Sequence, residues 1–243
     1  MSTAIQSYDP DKMNKGQHSG IKSWPDSEKP RERLRENGTG ALSDAELLAI
    51  LLGTGVKGKD ALSLARELLA RFGGFRGLLS ANWHELREIR GLGNAKIASL
   101  LSAVEISRRQ LKEEVVGKTY CRDPKSIMDY LYSTLRDRSR EVFKVLFLDK
   151  ANSIIGEEDL FEGTVDETAV YPREVLKAAF KRHRTTGAIL VHCHPSGRVQ
   201  PSREDQEITR KLQSVCSPVG IKILDHIIVG DNQYFSFNEQ NLL

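Results

Sequence analysis

The apolar residues change their spacing near residue 112, and that switch constrains the fold more than any other feature of the chain. Before it the spacing is helical. Ser43 and Glu46 form a capping box ahead of Leu47, Leu48, Ile50, Leu51 and Leu52, and Gly53-Thr54-Gly55 stops that helix. Asp60 caps the next, with Leu62, Leu64, Ala65, Leu68 and Leu69 on its apolar face and Gly73-Gly74 at its end. A third helix carries Leu86 and Ile89 and breaks at Gly91-Leu92-Gly93, and a fourth runs from about Asn94 to Leu111. After the switch, short strand-like runs alternate with helices. Val142, Val145 and Phe147 sit in a compact apolar run, and Ile154-Ile155 and Leu160-Phe161 follow at strand spacing. Pro172 opens a helix through about Lys181. Ala188 to His192 is β-prone, Ser202 to about Ser217 is helical, and Ile221–Leu224 and His226–Val229 read as two more strands.

These patterns predict a small all-α domain followed by an α/β (α+β) domain with a mixed sheet flanked by helices. The predicted boundaries are 1–28 for a polar, disordered tail, 29–112 for the helical domain, 113–122 for a charged and then polar linker, and 123–243 for the α/β domain.

Hydrophobic residues make up 39% of the 243 residues and charged residues 28%, which suits a buried core and excludes a low-complexity chain. Residues 1–117 carry 18 Lys/Arg against 15 Asp/Glu, while residues 118–243 carry 18 of each. The small basic excess therefore sits in the N-terminal half, where it permits nucleic-acid contact without requiring it. Cys121, Cys193 and Cys216 are few, odd in number and far apart, which argues for a reducing compartment and against a disulfide framework. The first 20 residues have no apolar core, and no apolar run approaches the roughly 20 residues that span a bilayer. The expectation is a cytoplasmic protein without membrane contact.

The chemistry concentrates between His192 and Asp205. His192 and His194 are two apart, so an extended backbone points both imidazoles to one face and Cys193 to the other. Pro195-Ser196-Gly197 turns the chain, and Pro201-Ser202 starts a helix with Asp205 in its first turn. Two imidazoles and one carboxylate leave a fourth tetrahedral position open, the pattern of a catalytic zinc site that activates water. Each piece also has an ordinary reading. His-x-His can be two polar strand residues, and Ser202 with Asp205 can be a helix cap alone.

The whole segment, His-x-His, seven residues, then Ser-x-x-Asp, resembles the JAMM (MPN-plus) metalloproteases. The flanking residues resemble the bacterial RadC-like, UPF0758-type branch. They include Pro30-Arg-Glu-Arg-Leu34, Ser43–Leu48, Gly91-Leu-Gly93, Glu141-Val-Phe143, Pro172-Arg-Glu174 and Asp225–Ile228. This resemblance implies one Zn2+ per chain held by His192, His194 and Asp205. It implies Glu141 as general acid/base and Ser202 as support for the tetrahedral intermediate. The implied function is hydrolysis of an amide bond, peptide or isopeptide, in a protein or peptide substrate. Cys193 stands where the family more often has Asn, Ser or Thr. Local sequence does not single out Glu141, and Glu157, Glu158, Glu162 and Glu174 are rivals for its role.

A second candidate lies in Arg90–Lys96, which resembles a helix-hairpin-helix turn. Gly91 and Gly93 would expose backbone amides to a DNA phosphate and Lys96 would add charge, giving sequence-independent, salt-sensitive binding. The alternative is an αα-hairpin in which the glycines let helices pack closely. The rival function is thus a DNA-associated accessory protein with the JAMM domain as scaffold; a nuclease using the same ion is a third class, thinly supplied with Lys and Arg. His226 precedes a strand and could line the active-site cleft, but it reads better as a packed or surface strand histidine.

Overall fold

The computed structural model describes residues 21–120, 124–163 and 171–243. Most of the predicted tail, and Cys121 with residue 122 of the predicted linker, lie outside the described residues. The chain divides into two compact units, one through Ala103 and one from Val104.

The first unit is helical: α1 (Pro30–Asn37), α2 (Asp44–Leu52), α3 (Ala61–Phe72), α4 (Phe75–Ser80), α5 (Trp83–Arg87) and the start of α6 (Asn94–Val115), within which the division falls. The Ser43–Glu46 capping box forms at the start of α2, and Asp60 caps α3 by accepting from Ser63 N. Gly73 ends α3 in the left-handed conformation. Leu48, Leu64, Leu68, Leu86 and Ile97 are almost fully buried in one core, each contributing about 1.5–3 kcal/mol against full exposure. Ile21 and Trp24, assigned by pattern to the tail, pack against this core, because an apolar pair gains from joining it even within a polar stretch. Helix α5 is a single short turn that ends before Ile89, and α6 runs four residues past Leu111, where Val115 finds a buried place.

The Gly91 turn packs closely. Gly91 has φ +107°, and a Cβ there would meet Val56 Cγ1 at 2.9 Å. Lys96 Nζ donates to Gly55 O at 3.2 Å.

The second unit is a five-stranded mixed sheet, with strands β1 (Glu141–Leu148), β2 (Ile154–Gly163), β3 (Gly187–Cys193), β4 (Lys222–Val229) and β5 (Tyr234–Ser236) in the order β2-β1-β3-β4-β5. Among the described residues only the β3–β4 pairing is parallel. Helix α7 (Pro124–Leu135) covers one face, packing Ile127, Leu131 and Leu135 against Val142, Leu146, Val191 and Ile227. Helices α8 (Pro172–Phe180) and α9 (Arg203–Cys216) cover the other, where Val175, Ala178 and Leu212 meet Phe143, Val145 and Leu190. Alternate residues of β1 and β3 therefore belong to different cores, as the period of two requires.

Pattern assigns no element to residues 124–135, yet Ile127, Leu131 and Leu135 recur at helical spacing and bury fully. The two strands expected at 221–224 and 226–229 are one. Asp225, which lies between the two runs, is 1% exposed and stays in the strand because its carboxylate is fully engaged. It accepts from Tyr120 OH at 2.6 Å, Ser236 Oγ at 2.7 Å and Asn238 N at 3.0 Å. Among the described residues no helix is long and apolar enough to cross a membrane.

Candidate metal centre

Strand β3 ends at the centre. His192 is 1% exposed and faces the α8/α9 side, while Cys193 points into the α7 core with Sγ 3.8 Å from Arg140 O. Burial pushes the Cys193 thiol up, so this side chain behaves as a small core residue and not as a soft ligand. The chain then turns: Gly197 N donates to His194 O at 2.9 Å, and Gly197 takes φ +72°. The turn delivers Ser202 as N-cap of α9.

That cap is reciprocal. Ser202 Oγ accepts from Asp205 N at 3.0 Å, and Asp205 Oδ2 accepts from Ser202 N at 2.7 Å. The second bond swings the Asp205 carboxylate back over the helix start, where the helix dipole also favours a negative charge. It brings Asp205 Oδ1 to 3.1 Å from His192 Nε2 and Oδ2 to 3.6 Å from His194 Nε2; the two Nε2 atoms are 3.0 Å apart.

Glu141 arrives from β1. Val142 pairs with Cys193 across the antiparallel ladder, so Glu141, one residue earlier, stands at the strand end near His194. One ligand atom from each of Glu141, His192, His194 and Asp205 lies within 4.8 Å of the others. Three of the four rival glutamates are engaged elsewhere. Glu157 pairs with Lys112 and Lys144, Glu158 with Arg182, and Glu174 with Arg173 and Lys177. Glu162 is exposed.

The donor set fits a cation. His194 Nδ1 is 2.9 Å from Arg198 O, and because a carbonyl only accepts, Nδ1 carries the hydrogen and Nε2 keeps its lone pair. Nitrogen and oxygen ligands held tetrahedrally at about 2.0–2.2 Å stand roughly 3.3 Å from one another, close to the separations seen. Lone pairs and a carboxylate converging this tightly require a positive charge among them. A proton can supply it, since contact with the Asp205 carboxylate pushes the His194 imidazole up against the effect of burial. Burial raises the Asp205 carboxyl in turn, but the facing imidazoles of His192 and His194 and the Ser202 amide outweigh it and hold it well below the usual carboxylate range.

The sequence and the site meet in the comparisons with known proteins. Residues 121–242 match the family described as "RadC-like JAB domain", and residues 21–98 match "UPF0758 N-terminal". A UPF0758 protein of Marinomonas sp. (strain MWYL1) is 47% identical over 223 residues, covering 92% of this chain and 99% of its own. Another, from Thioalkalivibrio sulfidiphilus, is 48% identical over the same span and coverage. The chain belongs to the RadC-like JAB domain family. Its five-stranded domain is accordingly of the JAMM-type metallohydrolase fold, and its His/Asp/Glu cluster can hold a metal ion.

Sequence reasoning about this RadC-like chain favoured a packed or surface role for His226 and did not single out Thr209, yet both touch the centre. His226 on β4 is fully buried, with Nε2 2.9 Å from His192 Nδ1 and Nδ1 2.6 Å from Thr209 Oγ1 on α9. The available signal was the Asp225-His226 pair inside an otherwise apolar run.

Proposed function

We propose that the chain is a zinc-dependent hydrolase of amide bonds in peptide or isopeptide substrates, using one Zn2+ per chain. One observation carries the reading: His192, His194 and Asp205 turn ligand atoms to a common point, with Glu141 beside them. Imidazole and carboxylate together suit zinc, and three protein ligands leave a position open for chemistry. When bound, zinc supplies a Lewis acid that polarises a carbonyl and lowers the pKa of water to about 7.

The chain's own residues do the rest. His192 and His194 bind through Nε2, and Asp205 provides the third ligand and most of the compensating charge. Glu141, half-buried at the end of β1, takes the proton of the attacking water and passes it to the leaving amine nitrogen. The Ser202 oxygen accepts from Asp205 N, so its own hydrogen is available to donate to the substrate carbonyl oxygen as charge builds there. Three widely spaced cysteines, two of them buried and unbridged, support a reducing, cytoplasmic setting.

Elemental analysis of the purified protein beside a His192→Ala, His194→Ala variant tests this. Close to one zinc per chain in the wild type and loss in the variant are expected, together with zinc-dependent cleavage of fluorogenic peptide or isopeptide-linked substrates. Equal, sub-stoichiometric zinc in both proteins would sink the reading.

A further inference from the structure

Thr209 Oγ1 is 2.6 Å from two atoms: the backbone oxygen of Asp205, one turn earlier on α9, and Nδ1 of His226 on β4. A hydroxyl has one hydrogen. A carbonyl oxygen can only accept, so that hydrogen goes to Asp205 O. The bond to His226 then has one possible direction: His226 Nδ1–H donates to Thr209 Oγ1. A neutral His226 with its hydrogen on Nδ1 has a lone pair on Nε2, and that atom is 2.9 Å from His192 Nδ1. His192 must therefore donate from Nδ1, leaving the Nε2 that faces Asp205 and His194 without a hydrogen. A charged His226 has no place here: it is fully buried, stacked on Phe237 with ring centroids 4.8 Å apart and edge-on to Phe143 at 5.9 Å.

We propose that Thr209 and His226 are positioning residues that fix the tautomer of His192, so that its Nε2 is presented as a ready metal ligand by the fold itself. The inference rests on the metal-site reading above. Every bond in the chain has its direction set by the one before it, beginning at the backbone of the ligand Asp205 and ending at the side chain of the ligand His192. The chain thereby ties a ligand on α9 to a ligand on β3 through β4. Histidine ligands commonly donate their second nitrogen to a carboxylate or carbonyl. Here the acceptor is a neutral imidazole that works only in one tautomer, and Thr209 selects it. His194 is fixed independently through Arg198 O.

Long-range nitrogen–proton correlation spectra of ring-15N-histidine protein, recorded metal-free and after addition of Zn2+ alone, read the tautomers directly. His226 should carry its hydrogen on Nδ1 in both states. A His226 hydrogen on Nε2, or an Nδ1–H form appearing only after zinc is added, would overturn the proposal without any variant being needed. Zinc competition with a chromophoric chelator gives a second readout. Thr209→Val and His226→Phe should each weaken zinc binding by about 10–100-fold, whereas Thr209→Ser, which keeps the hydroxyl, should bind like wild type. Folded Thr209→Val protein with unchanged zinc affinity would equally overturn it. Should the wild type bind no zinc at all, the metal-site reading fails, and the metal-free spectra still decide the tautomer chain.

Discussion

Ser202 and Asp205 satisfy each other's backbone amides, Ser202 Oγ accepting from Asp205 N and Asp205 Oδ2 accepting from Ser202 N. One pair thus holds the start of α9 and turns the Asp205 carboxylate to His192 and His194. Any experiment on either residue reads stability and chemistry together. Ser202→Ala should cost about 1 kcal/mol of stability, within the 0.5–2 kcal/mol usual for a lost N-cap, and should slow hydrolysis by more than this. Chemical denaturation and zinc-loaded turnover, measured on the same preparation, separate the two. A turnover loss fully accounted for by unfolded protein would leave Ser202 a cap only.

Glu141 is a cleaner probe, because it sits at a strand end outside the Ser202–Asp205 cap. Glu141→Gln should retain zinc within a few-fold of wild type and lose about 10²–10⁴ in turnover, the usual contribution of a general acid/base. Wild-type turnover in this variant would assign the proton transfer to another group.

The metal-free protein should have a characteristic stability profile with pH. His194 is raised by contact with Asp205, so it binds its proton more tightly folded than unfolded. Its contribution is complete below about 6.5, the usual histidine value, and is lost as pH rises through the higher folded value. Asp205 is depressed, so its contribution is present above about 3.9 and is lost as pH falls below this. Thermal unfolding in excess chelator should therefore show greatest stability from this pair in weak acid. Added zinc should invert the alkaline arm, since the ion displaces the His194 proton. A chelated Asp205→Asn variant should lose the His194 upshift; an unchanged profile would show the coupling absent.

The Arg90–Lys96 turn allows packing and DNA contact to be tested apart. Gly91→Ala combines an unfavourable φ of +107° with a Cβ pressed on Val56, and should destabilise the helical unit by about 1–3 kcal/mol. At Gly93 nothing lies within 4 Å of an added Cβ, so Gly93→Asp should fold normally while placing a negative charge where a phosphate would approach. If this turn contacts DNA, Gly93→Asp should abolish low-salt binding that the wild type shows in a salt titration. Equal binding by both would remove the turn from DNA contact.

Local signals carried much of the site and little of its assembly. His192-x-His194 follows from strand alternation, and Ser202-x-x-Asp205 follows from helix-cap chemistry, so both are visible in a window of fourteen residues. Glu141 is different. Its approach depends on Val142 pairing with Cys193, a register set across 51 positions of chain and by the packing of two cores. His226 and Thr209 meet because α9 lies along β4; the Asp225-His226 pair marks a polar interruption in an apolar run, but nothing local pairs His226 with Thr209. That the two expected strands are one was hidden for the same reason, since the partners that hold Asp225 in the strand, Tyr120, Ser236 and Asn238, come from elsewhere in the chain.

The place of β4 in the chain has a consequence for how the protein is made. His192 leaves the ribosome 34 residues ahead of His226, and Asp205 leaves ahead of it too. A nascent chain therefore exposes all three proposed ligands, His192, His194 and Asp205, while His192 is still free to exchange its hydrogen between ring nitrogens. Only docking of β4 beside β3 ends that exchange. On the proposed tautomer chain, the centre is therefore complete only once β4 has been made and has docked beside β3.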